Sequence, residues 1–260
     1  RPYAEGQHAV YMAYKISDLP RDATEFICGT DDFESFLQNE NTHSGQVAVA
    51  ERGAEPVQLK VYRAAIAAKG EYSVFHGGTK PLVLSAITVA MNFINAILER
   101  DFDVRYQLIA NNDAIIFLDP ATDPYSGVTV GDWMMQNPEA INPIIGINSY
   151  DVGHVFSQYS TGNSVGVVSG RVCQLFTKGR GCSSAPSPNA EYFFLVAAHE
   201  MCHQLSGEHS WNNCPGNEDQ IAPNTAFEPG SGTTIMSYAG SCTGGNSIQQ
   251  ESDPYFHVGN

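Results

Sequence analysis

The spacing of apolar and polar positions changes several times along the chain, and each change predicts an element. Val57 to Ala67 reads as a strand entering the main body. Pro81 then opens a helix, with Ile87, Met91, Ile94 and Leu98 at spacings of four, three and four on one buried face. Leu82 to Leu98 is the most apolar stretch of the chain. Ser85, Thr88, Asn92 and Asn95 interrupt it, so it reads as an amphipathic helix rather than a membrane span. Val104–Ala110 and Ala114–Leu118 read as strands split by Asn111-Asn112-Asp113. Asp132 starts a short helix that Asn137-Pro138 ends. Ile144–Ile147 and the glycine-rich Val165–Val172 are further strand candidates. Ala190 to Leu205 reads as a second long helix, capped by Asn189 and terminated by Gly207. Beyond Gly207 the chain is rich in Gly, Pro, Asn and Ser and has little periodicity. No internal repeat is present. This order predicts an α/β sandwich with a mixed sheet.

Residues 1 to 56 stand apart, with polar, acidic runs such as Thr30-Asp31-Asp32-Phe33-Glu34, and Gly53-Ala54-Glu55-Pro56 reads as the boundary. The first residue is Arg1 rather than Met, which implies residues upstream of it. Hydrophobic residues make up 42% of the 260 and charged residues 16%, the balance of a folded chain. The net charge of −15 repels phosphate backbones and anionic lipid, so neither nucleic acid nor a membrane is expected as a partner. Six cysteines occur and none forms a CxxC pair, which favours disulfides in an exported protein over a thiolate metal site. Cys173–Cys182 and Cys214–Cys242 are the expected pairs. The absence of any Asn-x-Ser/Thr sequon fits a bacterial source.

The chemistry concentrates in His199-Glu200-Met201-Cys202-His203. On a helix the two histidines lie one turn apart on one face, where both can grip a single ion, and imidazole nitrogen suits Zn2+. Glu200 sits where it can reach a water at that ion without ligating the metal, as a general base needs. His209 lies six residues past His203, with Gly207 between to let the chain swing back. Three histidines plus one open position describe a catalytic site rather than a closed structural one.

His199-Glu200-x-x-His203-x-x-Ser206-x-x-His209, followed by Ile235-Met236-Ser237-Tyr238, resembles the metzincin zinc metallopeptidases, HExxHxxGxxH plus Met-turn. Ser206 stands where that pattern has Gly. Within the clan the chain is most similar to adamalysin/reprolysin-like enzymes of the bacterial secreted type. The likeness covers residues 57 to 257 and rests on Tyr150-Asp151-x-Gly153-His154-Val155-Phe156, on the strand ending at Cys173, and on Glu228 to Met236. Ser210 departs from the adamalysin pattern, which has Asp there, and Met236-Ser237-Tyr238 is closer to the serralysin and astacin pattern.

The resemblance implies a secreted, monomeric zinc endopeptidase. Its catalytic domain would span residues 57 to 260: an upper part to 207 with a twisted mixed sheet, a long backing helix and the active-site helix, and an irregular lower part from 208. Protein or peptide substrates would lie between the parts as extended strands, against an edge near His154 to Val167. It also implies that Met236 floors the three imidazoles and that Tyr238 reaches the zinc or the oxyanion. Phe26-Ile27-Cys28-Gly29-Thr30 resembles a cysteine switch. Residues 1 to 56 would then be a pro-segment whose Cys28 thiolate takes the fourth zinc position. The alternative is a Cys28–Cys202 disulfide within the mature fold. Asp113, Asp119 and Asp123 offer the oxygen donors Ca2+ takes, or form a plain acidic turn. His154 either lines the cleft or is structural. Two other classes remain: a zinc-containing binding or adhesion module without catalysis, and a hydrolase of non-peptide amides. Glu200 argues against the first, because a structural site has no use for a base.

Overall fold

In the computed structural model, which describes residues 58–158, 165–242 and 246–260, five strands form one sheet in the order β2-β1-β3-β5-β4. They are β1 (Lys60–Ala68), β2 (Val104–Leu108), β3 (Val152–Gln158), β4 (Gly166–Val168) and β5 (Gly181–Ala185). All pairings are parallel except β4 against β5, so the antiparallel β4 forms one edge. Four α-helices accompany them: α1 (Gly70–Phe75), α2 (Lys80–Phe102), α3 (Val130–Ile145) and α4 (Glu191–Gln204).

The pleat of β1 shows why helices cover both faces. Ala64, Ile66 and Ala68 enter one core with Val83, Ile87, Ile94 and Leu98 of α2 and Phe193, Ala197 and Met201 of α4. Ala65 and Ala67 enter the other, with Trp133, Met134, Ile141 and Ile145 of α3. Strands β3 and β5, and β1 from Ala64 onward, are buried on both sides, as inner parallel strands require, whereas edge strand β2 alternates buried and exposed positions. Helix α2 is long and apolar enough to cross a membrane, yet Val83, Ile87, Ala90, Met91, Ile94, Ile97 and Leu98 are buried in this core.

Several expected elements take another form. Ala114–Leu118 is not a strand. Asn112 at the start of a 3-10 turn (Asn112–Ile115) bonds both the N–H and the C=O of Ile66 through its amide, occupying ladder positions on β1. Only the single bridge Ala68–Ile116 follows. Helix α3 runs through Pro138 and Pro143 instead of stopping at Asn137. Its start is fixed by a capping box between Thr129 and Asp132, and the burial of Trp133, Met134, Ile141 and Ile145 carries it past the prolines. Ile144 and Ile145 therefore end a helix, and Ile147–Ser149 is a 3-10 turn. Helix α4 starts from Ala190 with no side-chain cap, so Asn189 does not serve as one. His154 lies on the central strand β3; the edge on the α4 side of the order is β4, with β2 at the opposite edge.

After Gln204 the described residues hold no strand and no helix beyond the 3-10 turn Glu218–Gln220. The tail folds back onto α2: Phe256 stacks on Phe102 at 4.8 Å, its N–H donates to Asp101, and Arg100 donates to the carbonyl of Pro254. Ile235 N–H donates to the carbonyl of Tyr255, which ties the tail to the segment before Met236.

Candidate metal centre

Helix α4 is buried along nearly its whole length, including His199, Glu200 and His203. The chain then turns sharply. The N–H groups of Leu205 and Gly207 share the carbonyl of Cys202, and Ser206 N–H returns to His203. Ser206 takes the left-handed conformation, φ 75°. Gly207 answers a different need: a Cβ there would stand 2.4 Å from the Cys202 sulfur. So the non-glycine residue at the motif's glycine position still makes the turn, and the glycine one place later gives clearance.

Each imidazole is oriented from behind by a backbone carbonyl. His199 Nδ1 donates to Ile235 O at 2.7 Å, His203 Nδ1 to Gly207 O at 2.7 Å, and His209 Nδ1 to Gln220 O at 2.8 Å. With the proton on Nδ1, each Nε2 presents a lone pair. The three Nε2 atoms face one another: His199 lies 3.1 Å from His203 and 3.2 Å from His209. The three ligand atoms all lie within 4.8 Å of each other. Burial, then the two neighbouring imidazoles, hold His199 well below the ordinary histidine range, so it is neutral. Three imidazoles converging on one point through Nε2 are the donor set of a zinc site.

Glu200 is fully buried and faces the edge strand: a Cβ on Gly166 of β4 would come 2.2 Å from its Oε1. Only glycine lets the strand pass this close. Met236 is buried in the core with Met201 and Ile235, and its carbonyl accepts from Ser210 N–H at 2.9 Å. Tyr238 is buried beside His209, its ring 4.8 Å from that of His209 and 5.0 Å from Trp211. Its hydroxyl donates to Gln220 Oε1. Gln220 thus holds His209 through its main chain and Tyr238 through its side chain. It had no signal in the sequence, being one polar residue in an aperiodic stretch.

Other expected residues lie elsewhere. His154 lines no cleft. It is buried between Gln204 and Ser183, at 2.9 and 2.8 Å. Gln204 uses its NH2 on the carbonyl of Gly153, so its oxygen accepts from His154 Nδ1 and Ser183 donates to Nε2. Asp113, Asp119 and Asp123 form no metal-ligand group among the described residues. Asp123 accepts from Gly70 N–H and pairs with Lys69, and Asp119 caps the N–H of Ala121. The Cys214–Cys242 disulfide is present. Cys173 and Cys182 are not joined: Cys173 sits exposed on a turn, while Cys182 faces the core between the sheet and α3. Cys202 is a buried thiol, not a disulfide partner. Cys28 and residues 1 to 56 lie outside the described residues.

The model of the reprolysin-like metallopeptidases of family M12B matches residues 58–258. No curated protein matches the chain. Among solved structures, one titled "Structure of a chaperone-substrate complex" is similar at 11% identity and a TM-score of 0.44, over 75% of this chain. The match spans 33% of that structure's chain. With the family's match covering the whole sheet, α4 and the segment to Met236 and beyond, the chain belongs to the reprolysin-like metallopeptidases of family M12B.

Proposed function

We propose that the protein is a secreted endopeptidase that uses Zn2+ held by His199, His203 and His209. The observation that carries this is the convergence of three Nε2 lone pairs, each imidazole fixed from behind by a backbone carbonyl, beside a buried glutamate. When bound, zinc supplies the Lewis acidity that acidifies a water and polarises a scissile carbonyl. The chain's own residues do the rest. Glu200 takes the proton of the attacking water and delivers it to the leaving amine. Its position against Gly166 puts that exchange at the end of the edge strand, where an extended peptide pairs with β4. Tyr238 stands beside His209 to support the oxyanion once its hydroxyl leaves Gln220. The division of the catalytic domain at Gly207, and the reading of residues 1 to 56 as a pro-segment closed by Cys28, belong to this proposal. The disulfide suits an oxidising, extracellular compartment.

Digestion of casein or gelatin by the protein freed of residues 1 to 56 tests the reading. Cleavage stops on chelation, returns with zinc, and is absent in Glu200→Ala, which keeps its metal. An intact, zinc-loaded protein that cleaves no protein substrate sinks it.

A further inference from the structure

Outside the ligands, one buried carboxylate gathers more donors than any mechanistic step requires. Glu228 is 5% exposed. Its Oε1 accepts from the Ser210 hydroxyl at 2.5 Å and from the Thr234 hydroxyl. Its Oε2 accepts from the N–H groups of Thr233 and Thr234 at 2.7 and 3.1 Å. The backbone repeats the link: Glu228 N–H donates to Ser210 O, Asn212 N–H to Glu228 O, and Ser210 N–H to Met236 O. The fold is shaped to admit the carboxylate. Gly232, at φ 70°, lies so close that a Cβ would meet Glu228 Cδ at 3.1 Å.

The residues it joins matter by position. Ser210 follows His209, the third ligand. Thr234 precedes Ile235, whose carbonyl orients His199, the first ligand. One side chain therefore ties the backbone that carries one ligand to the backbone that aims another. Nothing else among the described side chains joins these two segments through so many bonds.

We propose that Glu228 is a positioning residue, which locks the His209 segment to the segment that aims His199 and so sets the spacing of the zinc ligands. This rests on the zinc reading above. Hydrogen-bond partners behind metal ligands govern metal affinity about 10- to 100-fold when lost. Glu228 acts one step further back, through the backbone of two ligands at once.

The test compares wild type, Glu228→Ala, Glu228→Gln, Ser210→Ala and Thr234→Val. Three quantities are read: zinc affinity by competition with a chromophoric chelator, the visible spectrum of the Co2+-substituted protein, and the melting temperature of the metal-free protein. Glu228→Ala should weaken zinc about 10- to 100-fold and shift the Co2+ bands. Glu228→Gln should lose less than about tenfold, because its oxygen can keep both N–H donors while its NH2 serves the two hydroxyls as acceptors. A purely structural role lowers the metal-free melting temperature alone, with affinity and spectrum unchanged, and overturns the proposal. If Glu228→Ala does not fold, Ser210→Ala and Thr234→Val decide. Ser210→Ala removes the side-chain bond on the His209 side and Thr234→Val one of the bonds on the Ile235 side, and wild-type affinity and spectrum in both overturns the proposal. A wild type that binds neither Zn2+ nor Co2+ overturns the metal reading itself.

Discussion

Ser206 holds a left-handed conformation that costs a residue with a Cβ about 1–2 kcal/mol. Part of that is returned by the smaller unfolded-state entropy of serine. Ser206→Gly should therefore raise stability by about 1 kcal/mol without changing metal affinity, read as an upward shift of the urea midpoint. A lower midpoint would mean that the serine side chain is needed at the turn. His154 makes a second residue-level case. Burial lowers its pKa from 6.5 to about 4, against a partly opposing bond from Gln204. Between those values the unfolded chain binds the proton and the folded one does not, so stability rises with pH across the window. The contribution is complete above pH 6.5 and lost as pH falls through 4. It amounts to about 3 kcal/mol at 1.36 kcal/mol per unit. Unfolding free energies of wild type and His154→Asn between pH 7.5 and 4 should show a shallower slope in the variant; equal slopes would refute the assignment.

Among the elements, α2 was legible because its apolar positions repeat at helical spacing and face one core. The metal site was legible for the same reason. His199, Glu200 and His203 share one helix, and His209 follows six residues after His203. Strand β5, Gly-Cys-Ser-Ser-Ala, was not. It has no branched or aromatic residue and no alternation, and it is a strand because β3 and β4 supply its partners and helices cover both faces. Helix α3 was cut short at Asn137-Pro138 because local preference says stop, whereas burial of the next turns says continue. The Asn137 side chain even finds tertiary partners, the hydroxyl of Tyr125 and the carbonyl of Gly179. Disulfide pairing failed by proximity in sequence alone: Cys173 and Cys182 are nine positions apart, but one is at the surface and the other in the core. The bridge that does form spans 28 positions and closes the loop that carries Gln220, Glu228 and Met236. Replacing Cys214 and Cys242 by Ser should cost about 3–4 kcal/mol on loop-closure grounds. Guanidinium unfolding of the double variant under non-reducing conditions measures it, and a midpoint equal to wild type would show that the cross-link constrains nothing.

At the scale of the whole molecule, the three clustered histidines come from two kinds of structure. His199 and His203 belong to a helix packed on the sheet, whereas His209 and the carbonyls of Ile235 and Gln220 belong to the stretch after Gln204 that has no long regular element. A bound ion therefore joins the ordered sheet half to the irregular half. Zinc at about 100 times its dissociation constant stabilises the native state by about 2.7 kcal/mol. Chelation should lower the melting temperature and expose residues 208–260 to chymotrypsin, at Trp211, Phe227 and Tyr238, before the sheet half, with the cut sites read by mass spectrometry. First cuts within β1 to α4 would contradict this division of stability.

The tail clasp described above bears on the order in which the histidine cluster is completed. A chain is synthesised from its N-terminus, so the whole of α4, with His199, Glu200 and His203, exists before Ile235 is added. Ile235, whose carbonyl orients His199, donates its own N–H to the carbonyl of Tyr255, and the next residue, Phe256, is anchored on Asp101 and Phe102. An unfinished chain, or one clipped before Pro254, carries the complete zinc motif without the clasp that aims it. Residues 254–256 thus complete the alignment of the first histidine from the far end of α2, and removing them should loosen the His199 ring while leaving the motif's sequence intact.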